Sequence, residues 1–203
     1  EAEGTLVRLF PDAPQVLRML MRRETPKLLT NAETHVIGNV TVLARAAAHA
    51  LQTLGYDTLI LTDRLDCEAR EAGRFLSAMA LSHQRETRSI AFVAGGETIV
   101  RVTGTGLGGR NQELALAAAP RLDGLRDTAI FSFGSDGTDG PTDAAGGYVD
   151  HRTMGKLRAA GLDVENALLN NDSYHALRAC DGLLKTGPTG TNVNDVAVVM
   201  IRR

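Results

Sequence analysis

Residues 195–201 read DVAVVMI, and this run constrains the fold more than any other stretch of the chain. A strand that is apolar at nearly every position has no solvated face, so it belongs inside a sheet covered by helices on both sides. TLILT at 58–62 has the same character. Helical patterns alternate with these runs. Residues 12–22 (DAPQVLRMLMR) carry apolar positions at helical spacing, with Asp12 as N-cap and Pro14 in the first turn, before Thr25-Pro26 breaks the pattern. Residues 34–37 (THVI) read as a short strand. Asn39 opens NVTVLARAAAHALQTLG, which stops at Gly55, and residues 67–83 form a further amphipathic helix. This order indicates an α/β fold: a mixed, mostly parallel sheet flanked by helices, an α/β/α sandwich.

The rhythm changes near residues 84–88, which sets an expected boundary between 1–85 and 86–203. SIAFVAGGETIVRVTG reads as two β runs joined by Gly95-Gly96, the signal for a hairpin. Residues 110–122 are helical, with Pro120 fraying the last turn. TAIFSFGSDG is a strand running into a loop, and residues 141–150 form a small-residue connection ending in YVD. HRTMGKLRAAG is a helix closed by Gly161, followed by short helices in VENALLN and SYHALRA and a strand in GLLKTG.

Composition excludes several classes. The 203 residues are 43% hydrophobic, enough for one large or two small cores. A net charge of -2 gives no electrostatic case for nucleic acid or an anionic membrane as partner. No apolar run approaches the roughly 20 residues of a spanning helix. Two separated cysteines, Cys67 and Cys180, suggest neither a disulfide framework nor a zinc site, so a reducing, cytoplasmic setting is expected. The five histidines lie in separate elements without ligand spacing. Residue 1 is glutamate, which raises the expectation of a piece of a longer protein.

Three loops carry chemistry-bearing residues. Gly104-Thr105-Gly106-Leu107-Gly108-Gly109 precedes a helix whose free N–H groups suit an anion. It also matches GxGxxG formally, but Asp123 and Asp127 stand at the wrong end of the next strand to hold a ribose. Arg110, at the positive end of that helix, is locally unfavourable unless an anion compensates it, and Asn111 and Gln112 share the same turn. GSDGTDGPTDAAGG brings Asp136, Thr138, Asp139, Thr142 and Asp143 to the end of an apolar strand. Three carboxylates there can hold Mg²⁺, position a hydroxyl or accept its proton. TGPTGTNVND offers Thr189, Thr191, Asn192 and Asn194 as hydrogen-bonding groups for phosphate or sugar oxygens, and Asn170-Asn171-Asp172-Ser173 reads first as a helix cap.

GGRNQELALAA, GSDGTDGPTDAAG, NNDSY and TGPTGTNVND, in this order, closely resemble the C-terminal half of the class II glycerate kinases, whose final region is called the MOFRL domain. The resemblance is strong over residues 90–203, while residues 1–85 look like the end of that family's N-terminal Rossmann-like α/β domain. It implies ATP-dependent phosphorylation of D-glycerate at the 2-hydroxyl, with Mg²⁺, in a cleft between two domains. Arg110 matches an arginine implicated in catalysis, and Asp136, Asp139 and Asp143 match the acidic loop, with Asp136 and Asp139 as the candidate metal ligands. The candidate binding set is Gly95, Gly96, Glu97, Gly106, Gly108, Gly109, Asn111, Gln112, Thr138, Thr142, Asn171, Thr189, Thr191, Asn192 and Asn194. The family's catalytic lysine lies upstream of anything in this chain, and no Walker A motif replaces it, so the isolated chain is expected to be inactive. Alternative readings are an NAD(P)H-dependent hydroxypyruvate reductase, a name often given to this family, or a non-catalytic binding module. A homodimer is left open.

Overall fold

The structure is a computed structural model and describes residues 8, 11–12, 14–21, 31–33 and 35–203. The chain divides into two compact units, residues 1–36 and 37–203. In the first, helix α1 (Gln15–Met21) occupies the middle of the expected 12–22 segment, and Leu17 donates its N–H to the Pro14 carbonyl (2.9 Å). Arg22, Thr25-Pro26 and Thr34 lie outside the described residues.

In the second unit, helix α2 (Val40–Thr53) starts where Asn39 accepts the Val42 N–H (3.0 Å) and ends before Gly55, whose φ of 86° suits glycine. Strand β1 (Asp57–Leu65) pairs in parallel with β2 (Ile90–Gly96) through helix α3 (Ala69–Ser82). Helix α4 (Arg110–Leu122) precedes β3 (Thr128–Gly134) and β4 (Gly146–Asp150). Three short helices follow, α5 (Thr153–Ala159), α6 (Val164–Leu169) and α7 (Ser173–Ala179), then β5 (Leu183–Leu184) and β6 (Asp195–Ile201).

The six strands form one sheet in the order β1-β2-β6-β3-β4-β5, so β6 is interior. Its alternate residues serve opposite layers: Val196 and Val198 meet α2, whereas Ala197, Val199 and Ile201 join the larger core under α3 to α7. The expected mixed α/β sheet therefore stands, but it is not mostly parallel. Only β1–β2 is parallel, and the other four pairings are antiparallel. Burial on both faces makes a strand apolar whichever way its neighbours run, so its composition carries no direction.

Other expectations change for definite reasons. The hairpin at Gly95-Gly96 does not form, because β1 and β6 already occupy both edges of β2; the chain after β2 instead leaves along the end of β1, Glu97 donating its N–H to the Leu65 carbonyl (2.7 Å) and Ile99 bridging Glu68. The two glycines instead admit close neighbours: a Cβ on Gly96 would lie 2.2 Å from the Leu65 carbonyl oxygen. Residues 35–37 are not a strand, and Val36 and Ile37 are 72% and 99% exposed. The expected connection ending in YVD contains β4, and the GLLKTG strand shortens to Leu183–Leu184. Helix α4 runs through Pro120 because the fully buried Leu122 fastens its end. β1 and β2, on either side of residue 85, are hydrogen-bonded neighbours.

Helices α3 and α4 lie in close contact at Gly73, where an added Cβ would lie 2.1 Å from the Leu114 carbonyl oxygen. Gly73→Val is expected to lower stability by about 1–3 kcal/mol through overpacking, despite valine's better helix propensity. An unchanged urea midpoint would contradict this packing.

Candidate active site

The antiparallel register brings three strand ends together at one end of the sheet: Asp195, the first residue of β6, stands opposite Gly96, the last of β2, and Gly134, the last of β3. Asp195 is only 6% exposed, and Gly134 leaves space beside its carboxylate, since a Cβ there would lie 3.3 Å from Oδ1. The carboxylate accepts Nε (2.5 Å) and Nη2 (3.1 Å) of Arg110. Such a side-on pair is charge-assisted and geometrically specific. Those bonds raise the Arg110 pKa further above its ordinary value, so the guanidinium is permanently charged. Glu97, which follows β2 and is exposed, lies 3.4 Å from Nη1 through Oε1 and accepts the Asn194 Nδ2 (3.1 Å) through Oε2. Sequence reasoning missed Asp195 because it opens an apolar run and reads as a strand residue.

The N-terminus of α4 does bind a carboxylate, but it is the protein's own. Asp139 Oδ1 accepts from Asn111 N (3.1 Å) and Nδ2 (3.2 Å), and Oδ2 from Gln112 N and Nε2 (both 2.9 Å). Four donors occupy the roughly four lone-pair positions of a carboxylate. Gly109 makes room for it, since a Cβ there would lie 2.3 Å from the Asp139 carboxyl carbon. Burial pushes the Asp139 pKa above the usual carboxylate range, against the lowering effect of these N–H donors. Thr142 joins the same cap, accepting Gln112 Nε2 (3.0 Å) and donating to the Asp139 carbonyl (2.8 Å).

The other two loop aspartates point to different tasks. Asp136 accepts the Thr138 N–H (2.9 Å). Asp143 is bound by Lys185 Nζ (2.8 Å) and by the Tyr174 hydroxyl (2.8 Å), Lys185 first and Tyr174 second holding its pKa below the usual range. Among the described residues no group of three or more His, Cys, Asp or Glu side chains is arranged to hold a metal ion. With Asp139 fully engaged, the Asp136 and Asp139 pair does not fit a protein-held Mg²⁺.

The glycine loop is shaped by the NNDS segment. Asn171 (φ 53°, 7% exposed) accepts Thr103 N (2.8 Å) and Gly104 N (2.9 Å) through Oδ1, and its Nδ2 donates to Glu113 Oε2 (3.2 Å). Asn170 and Asp172 accept Thr105 N and Leu107 N through their side chains. A Cβ on Gly104 would lie 2.3 Å from the Asn170 backbone, and one on Gly108 would lie 2.2 Å from Ser173 Oγ. The glycines thus serve close packing against residues 170–173. Behind them Arg70 pairs with the buried Glu113 (3.0 Å), so that glutamate is structural.

What remains open is a cleft of about 680 Å³ lined by Arg110, Glu97, Gly106, Gly108, Gly109 and Asn171, with Ile99, Val102 and Pro141 as an apolar wall. Gly95 and Gly96 lie buried in the sheet, and Asn111, Gln112 and Thr142 belong to the cap. Thr138 is exposed beside Asp136. In the 186–194 loop Thr189 fastens to the Ser135 carbonyl (2.5 Å), Asn194 reaches Glu97, and Thr191 and Asn192 are exposed; none of these four lines the cleft. Cys67 and Cys180 are free thiols. Among the described residues no helix is long and apolar enough to cross a membrane.

Two carboxyls four residues apart should therefore titrate in opposite senses. In carboxyl-detected NMR, Asp139 is expected to titrate above the ordinary aspartate value and Asp143 below it. Raised in the folded state, Asp139 costs stability as pH rises from the unfolded value through its folded pKa. Lowered, Asp143 loses its contribution as pH falls from the unfolded value through its folded pKa. Indistinguishable titrations would contradict this arrangement.

The MOFRL family model matches residues 90–195. A D-glycerate 2-kinase of Thermotoga maritima is 47% identical over 194 residues, 94% of this chain and 46% of that protein. A relative in Agrobacterium vitis, provisionally named a hydroxypyruvate reductase, is 36% identical over 99% of this chain and 48% of its own length. A crystal structure of glycerate kinase from Thermotoga maritima superposes with a TM-score of 0.83 at 46% identity, covering 98% of this chain and 49% of that one. The chain spans about half the length of these relatives. With more than half of its residues matched by the family model and its fold shared with a glycerate kinase, the chain belongs to the MOFRL family.

Proposed function

We propose that this chain forms the C-terminal half of an enzyme that transfers the γ-phosphoryl group of ATP to the 2-hydroxyl of D-glycerate, and that it is inactive without the other half. The observation that carries the reading is the Arg110 guanidinium, anchored on one edge and facing a cleft with the other. Phosphoryl transfer asks mostly for positioning and charge stabilisation, and both substrates are anionic. Arg110 would neutralise charge on the transferred phosphoryl group or on the glycerate carboxylate. Of the three loop aspartates, Asp136 has the fewest protein partners, so we assign it the orientation of the glycerate hydroxyl. Asp139 serves by holding the loop on α4, and no step is assigned to a metal ion bound by this chain.

Residues 1–85 in this reading carry the end of the N-terminal α/β domain and residues 86–203 the MOFRL-type domain. The division marks where the resemblance becomes strong rather than a break in packing, since β1 and β2 pair across it. The reductase reading finds less support. The GxGxxG run follows an irregular segment rather than a strand, and its helix N-terminus is filled by Asp139.

Arg110→Lys, in the natural protein carrying this chain, keeps a cation beside Asp195 but loses the planar fork. It is expected to lower kcat by on the order of 10²–10³-fold, as for loss of one charge-stabilising donor. ADP release coupled to D-glycerate phosphorylation measures this, and the 203-residue chain assayed alone is expected to give no turnover. Oxidation of NADH by hydroxypyruvate without ATP, or an Arg110→Lys enzyme of unchanged kcat, would overturn the reading.

A further inference from the structure

We propose that Asp195 is a positioning residue, holding the inner edge of the Arg110 guanidinium so that the outer edge meets an anionic ligand in the cleft. This rests on the reading of Arg110 as a group that binds a phosphoryl or carboxylate oxygen. The two carboxylates near Arg110 differ in kind. Asp195 is buried, belongs to the central strand, and takes both Nε and Nη2. Its backbone cannot drift, because β6 is paired on both sides at that position, with Gly96 and with Gly134. Glu97 has a side chain that is 58% exposed and meets Nη1 at 3.4 Å as an ion pair, without a hydrogen bond. A ligand oxygen can take its place, whereas nothing in the cleft can reach the edge that Asp195 holds.

A clamp of this kind is needed because arginine is poorly suited to its position. It begins a helix, where the dipole disfavours a cation, and its long side chain loses much rotamer freedom when fixed. Binding Nε and Nη2 removes that freedom before the ligand arrives, and it leaves Nη1 and the second N–H of Nη2 as a two-pronged receptor. Both prongs point, within the guanidinium plane, away from the edge that Asp195 holds.

In the natural protein, Asp195→Asn is expected to lower kcat for glycerate phosphorylation about a hundredfold, the cost of a misplaced group, with KM little changed. In an Arg110→Ala background the same substitution is expected to cost nothing more, since no guanidinium remains to be held. Losses that multiply in the double variant, or a normal kcat in Asp195→Asn, would overturn the proposal. The Arg110 Nε–H signal of the 203-residue wild-type chain gives a readout independent of turnover and of whether the variant folds. Slow solvent exchange is expected there, and exchange as fast as that of an exposed arginine overturns the clamp. A protected signal in a protein that does not phosphorylate glycerate would contradict the proposed function while supporting the clamp.

Discussion

Helix α4 begins inside the protein, and the site is organised around that fact. Residues 111–119 are all buried, so the unpaired N–H groups of the first turn have no water to satisfy them. Asp139 supplies the missing acceptor, and Gly109 leaves the space for it. With the bond from Gln112 to Thr142, this cap ties the loop at 135–145 to the helix. It also leaves Arg110 at the helix start, beside the ends of β2 and β6, where Asp195 and Glu97 are the partners within reach.

The carboxylates of the site divide their work by burial. Asp139 is desolvated and acts on the backbone. Asp195 is buried against a guanidinium whose partial exposure lets it look into the cleft. Asp143 is exposed and forms an ion pair with Lys185, whose ammonium also stands 5.8 Å from the centre of the Tyr174 ring. Similar side chains within one region therefore act as a cap, an anchor and a surface partner, and residue type alone does not separate these roles.

The layers were legible in the sequence because burial leaves a periodic mark: the apolar run at 195–201, the Asn39 cap and the helices at 67–83 and 110–122 all stand close to where the pattern puts them. Strand direction left no mark, and the Gly95-Gly96 hairpin failed because a local turn signal says nothing about which strand edges are already taken. The location of Arg110 was legible from its charge at a helix start, which needed an explanation. Asp195 was not, because its partner lies 85 residues away. The glycine loop looked like a phosphate cradle, yet Asn170, Asn171 and Asp172 occupy the N–H groups of Gly104, Thr105, Gly106 and Leu107, a long-range pairing that no local spacing reveals.

The central claim is that Arg110 presents an anchored guanidinium to an anionic substrate. A crystal structure of the natural protein with D-glycerate and a non-hydrolysable ATP analogue tests it directly. The expected result is a carboxylate or phosphoryl oxygen hydrogen-bonded to Nη1 or Nη2 of Arg110, with Asp195 still holding Nε. Both ligands bound away from Arg110, with its guanidinium still paired to Glu97, would contradict the account.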